Sequence, residues 1–251
     1  MAIHQVVLGI ALFIALNETF GREIPNVGIV GGREAAPNSR PYMASLQSQG
    51  QHECGGVLVR EDFVLTAAHC NRKYRVVLGV HDLSVEEKSK QVFDVDRSIP
   101  HPMYNKPNND IMLLKLKKKA TLTPAVQLIP LMNGPIANGI ICSTAGWGDI
   151  DDNGTEINQL QEVNATIVPP EVCAQRLAPT KISSGMVCAT GPSGFQGFCS
   201  GDSGGPLVCN GKLAGIVSFS KNPCASPFYA DVYTRVPAYI KWIDGVLAEN
   251  P

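Results

Sequence analysis

Between Pro41 and Gly215 the apolar residues come in short runs, with Gly, Pro and Asn between them. That spacing reads as strands joined by tight turns. Tyr42–Gln47 and Cys54–Val59 flank the polar stretch Ser48-Gln49-Gly50-Gln51 and predict a hairpin. Phe63–Thr66, Arg75–Leu78, Ile111–Leu116, Leu160–Val168 and Lys212–Ser220 predict further strands. Helical spacing is confined to the end, where Pro237 suits a first turn and Ile240, Ile243 and Leu247 fall on one face. Many strands and one late helix predict an all-β barrel or sandwich. Pro124–Gly139, rich in Pro, Gly and Asn, is suited to joining two barrels. Lys115, Lys117, Lys118 and Lys119 read as a solvated strand edge that resists edge pairing, with a heparin-like polyanion site as the alternative.

The opening of the chain differs. Val6–Leu16 is an apolar run of eleven, too short to span a bilayer as a helix, and polar Asn17, Glu18 and Thr19 follow it. Residues 1–28 therefore read as a secretory signal peptide with a short propeptide, and no later stretch predicts a membrane span. The net charge is −1, and residues 1–28 hold one Arg against two acids, so the remainder is balanced. A balanced chain gives no general pull toward nucleic acid or an anionic membrane. Cys54, Cys70, Cys142, Cys173, Cys188, Cys199, Cys209 and Cys224 make an even eight, which in an exported protein favours disulfides. Zinc is the rival use, but there is no CxxC and no paired His at ligand spacing, so neither metal nor cofactor is expected. Asn153-Gly-Thr and Asn164-Ala-Thr are candidate glycosylation sequons, while Asn17-Glu-Thr falls too near the signal.

Gly201-Asp202-Ser203-Gly204-Gly205-Pro206 carries the strongest chemical signal. A serine between glycines can sit on a tight turn with its hydroxyl exposed, and the N–H groups of Gly201 and Ser203 can then face an oxyanion. The bland alternative is a Gly-rich turn. A serine hydroxyl needs a base. His69 lies in Leu65-Thr-Ala-Ala-His-Cys70, where small neighbours leave room for a substrate. His81 and His101 lie in loop-like stretches, and His52 and His101 read as surface or satisfied core histidines. Asp110 stands directly before the apolar run from Ile111, where burial strengthens its hold on an imidazolium. The chain order is His, Asp, Ser.

These stretches, together with Ile29-Val-Gly-Gly, Ala145-Gly-Trp-Gly and Val217-Ser-Phe, resemble the chymotrypsin and trypsin family from Ile29 to the terminal helix. The roles given to His69, Asp110 and Ser203 are that family's template. The resemblance implies two six-stranded antiparallel barrels, residues 29–135 and 136–251, with the active site between them and a C-terminal helix. It also implies bridges Cys54–Cys70, Cys142–Cys209, Cys173–Cys188 and Cys199–Cys224, a choice that the cysteines alone leave open. It implies activation by cleavage before Ile29, whose new ammonium would bury against Asp202. Gly28 rather than Arg or Lys precedes Ile29, so a trypsin-like activator is not expected. Removal of Val27-Gly28 by a dipeptidyl peptidase, as in leukocyte granule proteases, is the expectation instead.

The same resemblance locates a specificity pocket. Gly197 falls where trypsins carry the aspartate of the pocket floor, and Phe198 follows with a ring that should fill much of the space. Ser200 falls at the rim, Ser218, Phe219 and Ser220 along a wall, and Asp231 where trypsins have glycine. The pocket reads as shallow, polar and acidic. An arginine fork could meet Asp231, Ser200 and Ser220 near its mouth. In the rival reading Asp231 is merely buried and satisfied. The expectation is a secreted, monomeric serine endopeptidase of leukocyte-granule type that cleaves protein or peptide substrates after arginine and is restrained by serpin-type inhibitors. Elastase-like cleavage after small aliphatic residues, or an inactive homologue acting as a binding protein, are the alternatives.

Overall fold

The computed structural model describes residues 29–250. The apolar run Val6–Leu16, the sequon at Asn17 and the dipeptide Val27-Gly28 lie outside the described residues. In chain order the strands are β1 (Arg33–Glu34), β2 (Met43–Ser48), β3 (Gln51–Arg60), β4 (Phe63–Thr66), β5 (Arg75–Leu78), β6 (Gln91–Pro100), β7 (Met112–Leu116), β8 (Ile141–Gly146) and β9 (Gln161–Ile167). A helix α1 (Pro170–Leu177) precedes β10 (Met186–Thr190), β11 (Pro206–Cys209), β12 (Lys212–Phe219) and β13 (Asp231–Arg235), and helix α2 (Ile240–Glu249) ends the chain.

Strands β2 to β7 close an antiparallel barrel in the order β2-β3-β4-β7-β6-β5. Strands β8 to β13 form a second ring, closed by the β8–β9 pairing, and β1 is laid on β9 from outside. Period-two patterning is plain in β9, where Gln161, Val163, Ala165 and Ile167 are buried while the residues between them are not. The β2–β3 hairpin turns through Gln49 and Gly50 alone, at φ +52° and +85°, the two left-handed residues of a tight primed turn. Segment 117–140 connects the barrels without a strand of its own.

One apolar cluster joins the two barrels, while the interior of the second barrel, with Ala165, Leu207, Val217 and Tyr233, is a separate cluster. The joining cluster runs from Val57, Leu65 and Leu114 of the first barrel to Trp147, Leu213 and Ile216 of the second, and on to Tyr239 and Ile243. Helix α2 thus packs on that shared core, with Ile243 fully buried and Ile240 and Leu247 against it. Arg60 secures the helix end by donating to the carbonyls of Leu247 (2.7 Å) and Asn250, while Asp62 holds both Arg60 (2.6 Å) and Lys115 (2.5 Å).

The lysine reading needs correction. Strand β7 is paired on both sides, by β4 and β6, so Lys115 stands in the middle of a closed sheet and is neutralised by Asp62. Only Lys117, Lys118 and Lys119, beyond the strand, are exposed. The expectation of a single helix is also corrected. Helix α1 buries just Cys173 and Leu177, one i,i+4 pair, between Pro169-Pro170 and Pro179, too little periodicity to register. Strand β6 escaped for a similar reason, since Phe93 is its only buried residue.

The disulfides join Cys54–Cys70, Cys142–Cys209, Cys173–Cys188 and Cys199–Cys224. Each such bridge adds about 2–4 kcal/mol. The first fastens the loop carrying His69 to β3, and the last ties the segment before Ser203 to the loop after β12.

Candidate active site

His69 lies in a short 3-10 turn, Ala68–Cys70, directly after β4. Its imidazole Nδ1 is 2.7 Å from Asp110 Oδ2, and its backbone N–H donates to Asp110 Oδ1 at 2.9 Å. Asp110 is 4% exposed and sits just before β7, with its own carbonyl accepting from the Thr234 hydroxyl at 2.6 Å. A third donor reaches its carboxylate: the Ser218 hydroxyl lies 2.6 Å from Oδ2. The acid is therefore fixed from two sides by the imidazole's own residue and from the second barrel by β12. Ser218, a candidate for the pocket wall, engages Asp110 with its hydroxyl. Nothing in linear sequence signals a contact between residues so far apart.

Ser203 faces the same cleft as His69, a cavity of about 840 Å3 that also takes in His52, Trp147, Ser200 and Gly201. Among the described residues the Ser203 hydroxyl makes no hydrogen bond to the imidazole. Such bonds are often loose before substrate arrives. The turn that carries it is clamped from the first barrel: Gly55 N–H donates to the Ser203 carbonyl at 2.8 Å, and Thr66 caps the Gly55 carbonyl at 2.8 Å. At Gly204, φ is +81° and a Cβ would lie 2.1 Å from Thr66 Oγ1, so only glycine fits.

Two N–H groups of this turn are free to face a ligand. The Ser200 carbonyl accepts from Asp149 N at 2.7 Å, and the planar trans peptide turns the Gly201 N–H the other way. The Asp202 carbonyl likewise accepts from Gly205 N at 2.9 Å, which turns the Ser203 N–H outward. Neither N–H has a protein acceptor among the described residues. The Gly201 carbonyl is held by His52, whose Nε2 is 3.0 Å away and whose Nδ1 is 2.8 Å from Ser45 Oγ. His52 shows an edge to the cleft, but the surrounding protein, Trp147 among it, pushes its pKa down to about 4, chiefly by desolvation. It is a neutral structural histidine that fixes the orientation of the Gly201–Asp202 peptide.

Asp202 is buried beneath this turn. Its carboxylate accepts from Cys199 N and Gly148 N, both at 2.9 Å, and burial outweighs those bonds to push its pKa up to about 7. The glycines of Ala145-Gly-Trp-Gly make room for it, since a Cβ on Gly146 would sit 2.0 Å from Asp202 Oδ1. Ile29 is fully buried with φ +46°, and the Val30 carbonyl accepts from Gly197 N at 3.1 Å. Asn153 and Asn164 are both exposed, the first in a turn and the second on β9.

In the pocket region, Gly197 packs directly on Asp231: a Cβ there would lie 2.2 Å from Asp231 Oδ2. The same oxygen accepts from Phe198 N at 3.3 Å. Asp231 is 7% exposed and has no cationic neighbour among the described residues, and desolvation pushes its pKa up to about 8. Phe198 is turned edge-on against Tyr233, with ring centroids 5.3 Å apart. Ser200 is exposed, and Phe219 and Ser220 are half-buried.

The family model described as Trypsin matches residues 29–243. Bovine duodenase-1 is 46% identical over 227 residues, covering 87% of this chain and 89% of its own length. Human serine protease 57 is 43% identical over 232 residues, covering 88% of this chain and 82% of its own. Among solved structures, mouse neuropsin, a serine protease, superposes with a TM-score of 0.83 at 40% identity, covering 87% of this chain and all of that one. A double-barrel fold with its cleft between the barrels, matched along nearly all of the described residues, makes this chain a member of the trypsin family of serine proteases.

Proposed function

We propose that this protein is an endopeptidase in which Ser203 is the nucleophile, His69 the base and Asp110 the residue that orients the base. The carrying observation is the set of three donors on one buried carboxylate, two from His69 and one from Ser218. That arrangement leaves imidazole Nε2 as the free acceptor. Ser203 Oγ attacks the scissile carbonyl carbon while its proton passes to His69 Nε2. The oxyanion so formed meets the N–H groups of Gly201 and Ser203. Collapse breaks the C–N bond, and His69 returns the proton to the leaving amine. Water then repeats the sequence on the acyl ester and frees Ser203.

Activation follows from burial. Among the described residues Asp202 has two N–H donors and no cation, and a buried carboxylate without one is costly. Cleavage before Ile29 supplies an α-ammonium on a residue that is already inside. The residue preferred at the cleavage site is arginine. Asp231 is the buried acid nearest Gly197, and a guanidinium is the partner it lacks. The rival, a small aliphatic residue, draws support from the same burial, because a pKa near 8 leaves Asp231 mostly uncharged at neutral pH. Secretion with storage in leukocyte granules, a monomeric state, serpin-type inhibitors and glycans on the exposed Asn153 and Asn164 complete the reading.

One experiment tests both halves. Protein starting at Ile29 is reacted with a serine-directed phosphonate and profiled on a peptide library. Labelling lost in Ser203→Ala and cleavage after arginine are expected. Absence of labelling removes the enzyme reading, and a preference for Val or Ala removes the arginine reading alone.

A further inference from the structure

Two buried carboxylates share one short piece of backbone. Phe198 N donates to Asp231 Oδ2 at 3.3 Å, and the next N–H, that of Cys199, donates to Asp202 Oδ2 at 2.9 Å. Asp202 is 1% exposed and Asp231 7%. The charged and titratable groups bearing on Asp231 are Asp202 and, beside it on β13, Tyr233. Those bearing on Asp202 are Asp149 and Tyr233, and His52 touches it only through the Gly201 carbonyl. Among the described residues no cation bears on either acid. The fully buried Tyr233 hydroxyl and the Thr144 hydroxyl lie close enough to influence each other but outside hydrogen-bond geometry, so each is without a partner among the described residues. Both acids are thus buried and, among the described residues, without a cation.

We propose that Asp202 and Asp231 work as one coupled pair: once a cation neutralises Asp202, Asp231 can hold the negative charge that a guanidinium needs. This rests on the reading of Ile29 as the partner of Asp202 and of arginine as the partner of Asp231. Two negative charges cannot cheaply coexist at this depth, because little water screens them. In the unprocessed chain a second negative charge on the pair is therefore disfavoured. The ammonium at Ile29 removes that conflict. Processing therefore orders the oxyanion turn and arms the specificity acid in one event, so a precursor would discriminate poorly for arginine even where its pocket is formed.

The test reads Asp231 directly. Two Ser203→Ala proteins, one with the natural extension ahead of Ile29 and one beginning at Ile29, are labelled with 13C at aspartate carboxyls and titrated by NMR. Asp231→Asn identifies the signal. The Asp231 midpoint should lie near 8 in the extended protein. It should fall by on the order of one pH unit in the processed one, a tenfold change in proton affinity. Asp202→Asn in the extended protein should lower it similarly without any cleavage. Equal midpoints in all three proteins overturn the coupling. In parallel, p-aminobenzamidine fluorescence on the processed protein should follow the Asp231 midpoint. Failure of the amidine to bind while the midpoint still moves removes the arginine reading and leaves the coupling standing.

Discussion

His52 makes the described fold acid-sensitive at a definable place. The ring is held neutral between Ser45 Oγ and the Gly201 carbonyl, with its pKa down at about 4 against an ordinary value of 6.5. A lowered folded pKa means that the unfolded chain binds the proton first. The contribution is fully present above pH 6.5 and is lost as pH falls toward 4. The difference corresponds to about 3 kcal/mol. The perturbation is His52→Gln, which keeps a polar side chain but cannot take a proton. Wild type and variant, both carrying Ser203→Ala to prevent self-digestion, are unfolded in urea at pH 7.5, 5.5 and 4.0. Carboxylates titrate in both, so the informative quantity is the gap between the two proteins. It should shift by about 2–3 kcal/mol in favour of the variant between pH 7.5 and 4.0. A gap that stays constant across that range would refute the claim that this imidazole is buried neutral.

Ser218→Ala removes one of three donors to Asp110. Bonds to charged groups contribute about 1.5–3 kcal/mol, so kcat should fall about 10–100-fold with KM little changed in steady-state assays on an arginine peptide. Gly146→Ala drives a methyl into Asp202, and active-site titration should find few competent molecules although circular dichroism shows a folded barrel. Asp62→Ala leaves the partly exposed Arg60 and Lys115 without their shared acid, and thermal unfolding should report a loss of about 1.5–3 kcal/mol.

How much of this was legible beforehand follows from the kind of information each feature uses. His69 and Ser203 stood out as candidates because small residues and glycines around them form recognisable strings, and Asp110 because it stands at the mouth of an apolar run. Strands β4 and β5 stood out because turn residues bracket compact apolar runs. What escaped depended on contacts between distant parts of the chain. Ser218 meets Asp110 across 108 positions, and His52 meets Gly201 across 149. Sequence spacing cannot express either. Lys115 misled for the same reason: a strand edge exists only until the sheet closes, and closure is a property of the whole barrel.

The shared core has a consequence for the integrity of the chain. Helix α2, the last element, lies on apolar residues contributed by both halves, and Arg60 of the first half grips its end. A protease nick within 117–140 would therefore yield two fragments that stay together as a non-covalent pair. Either fragment made alone would present a bare greasy face and would need the other to become soluble. The connector is a convenience of synthesis, whereas the molecule's cohesion is laced through its far end.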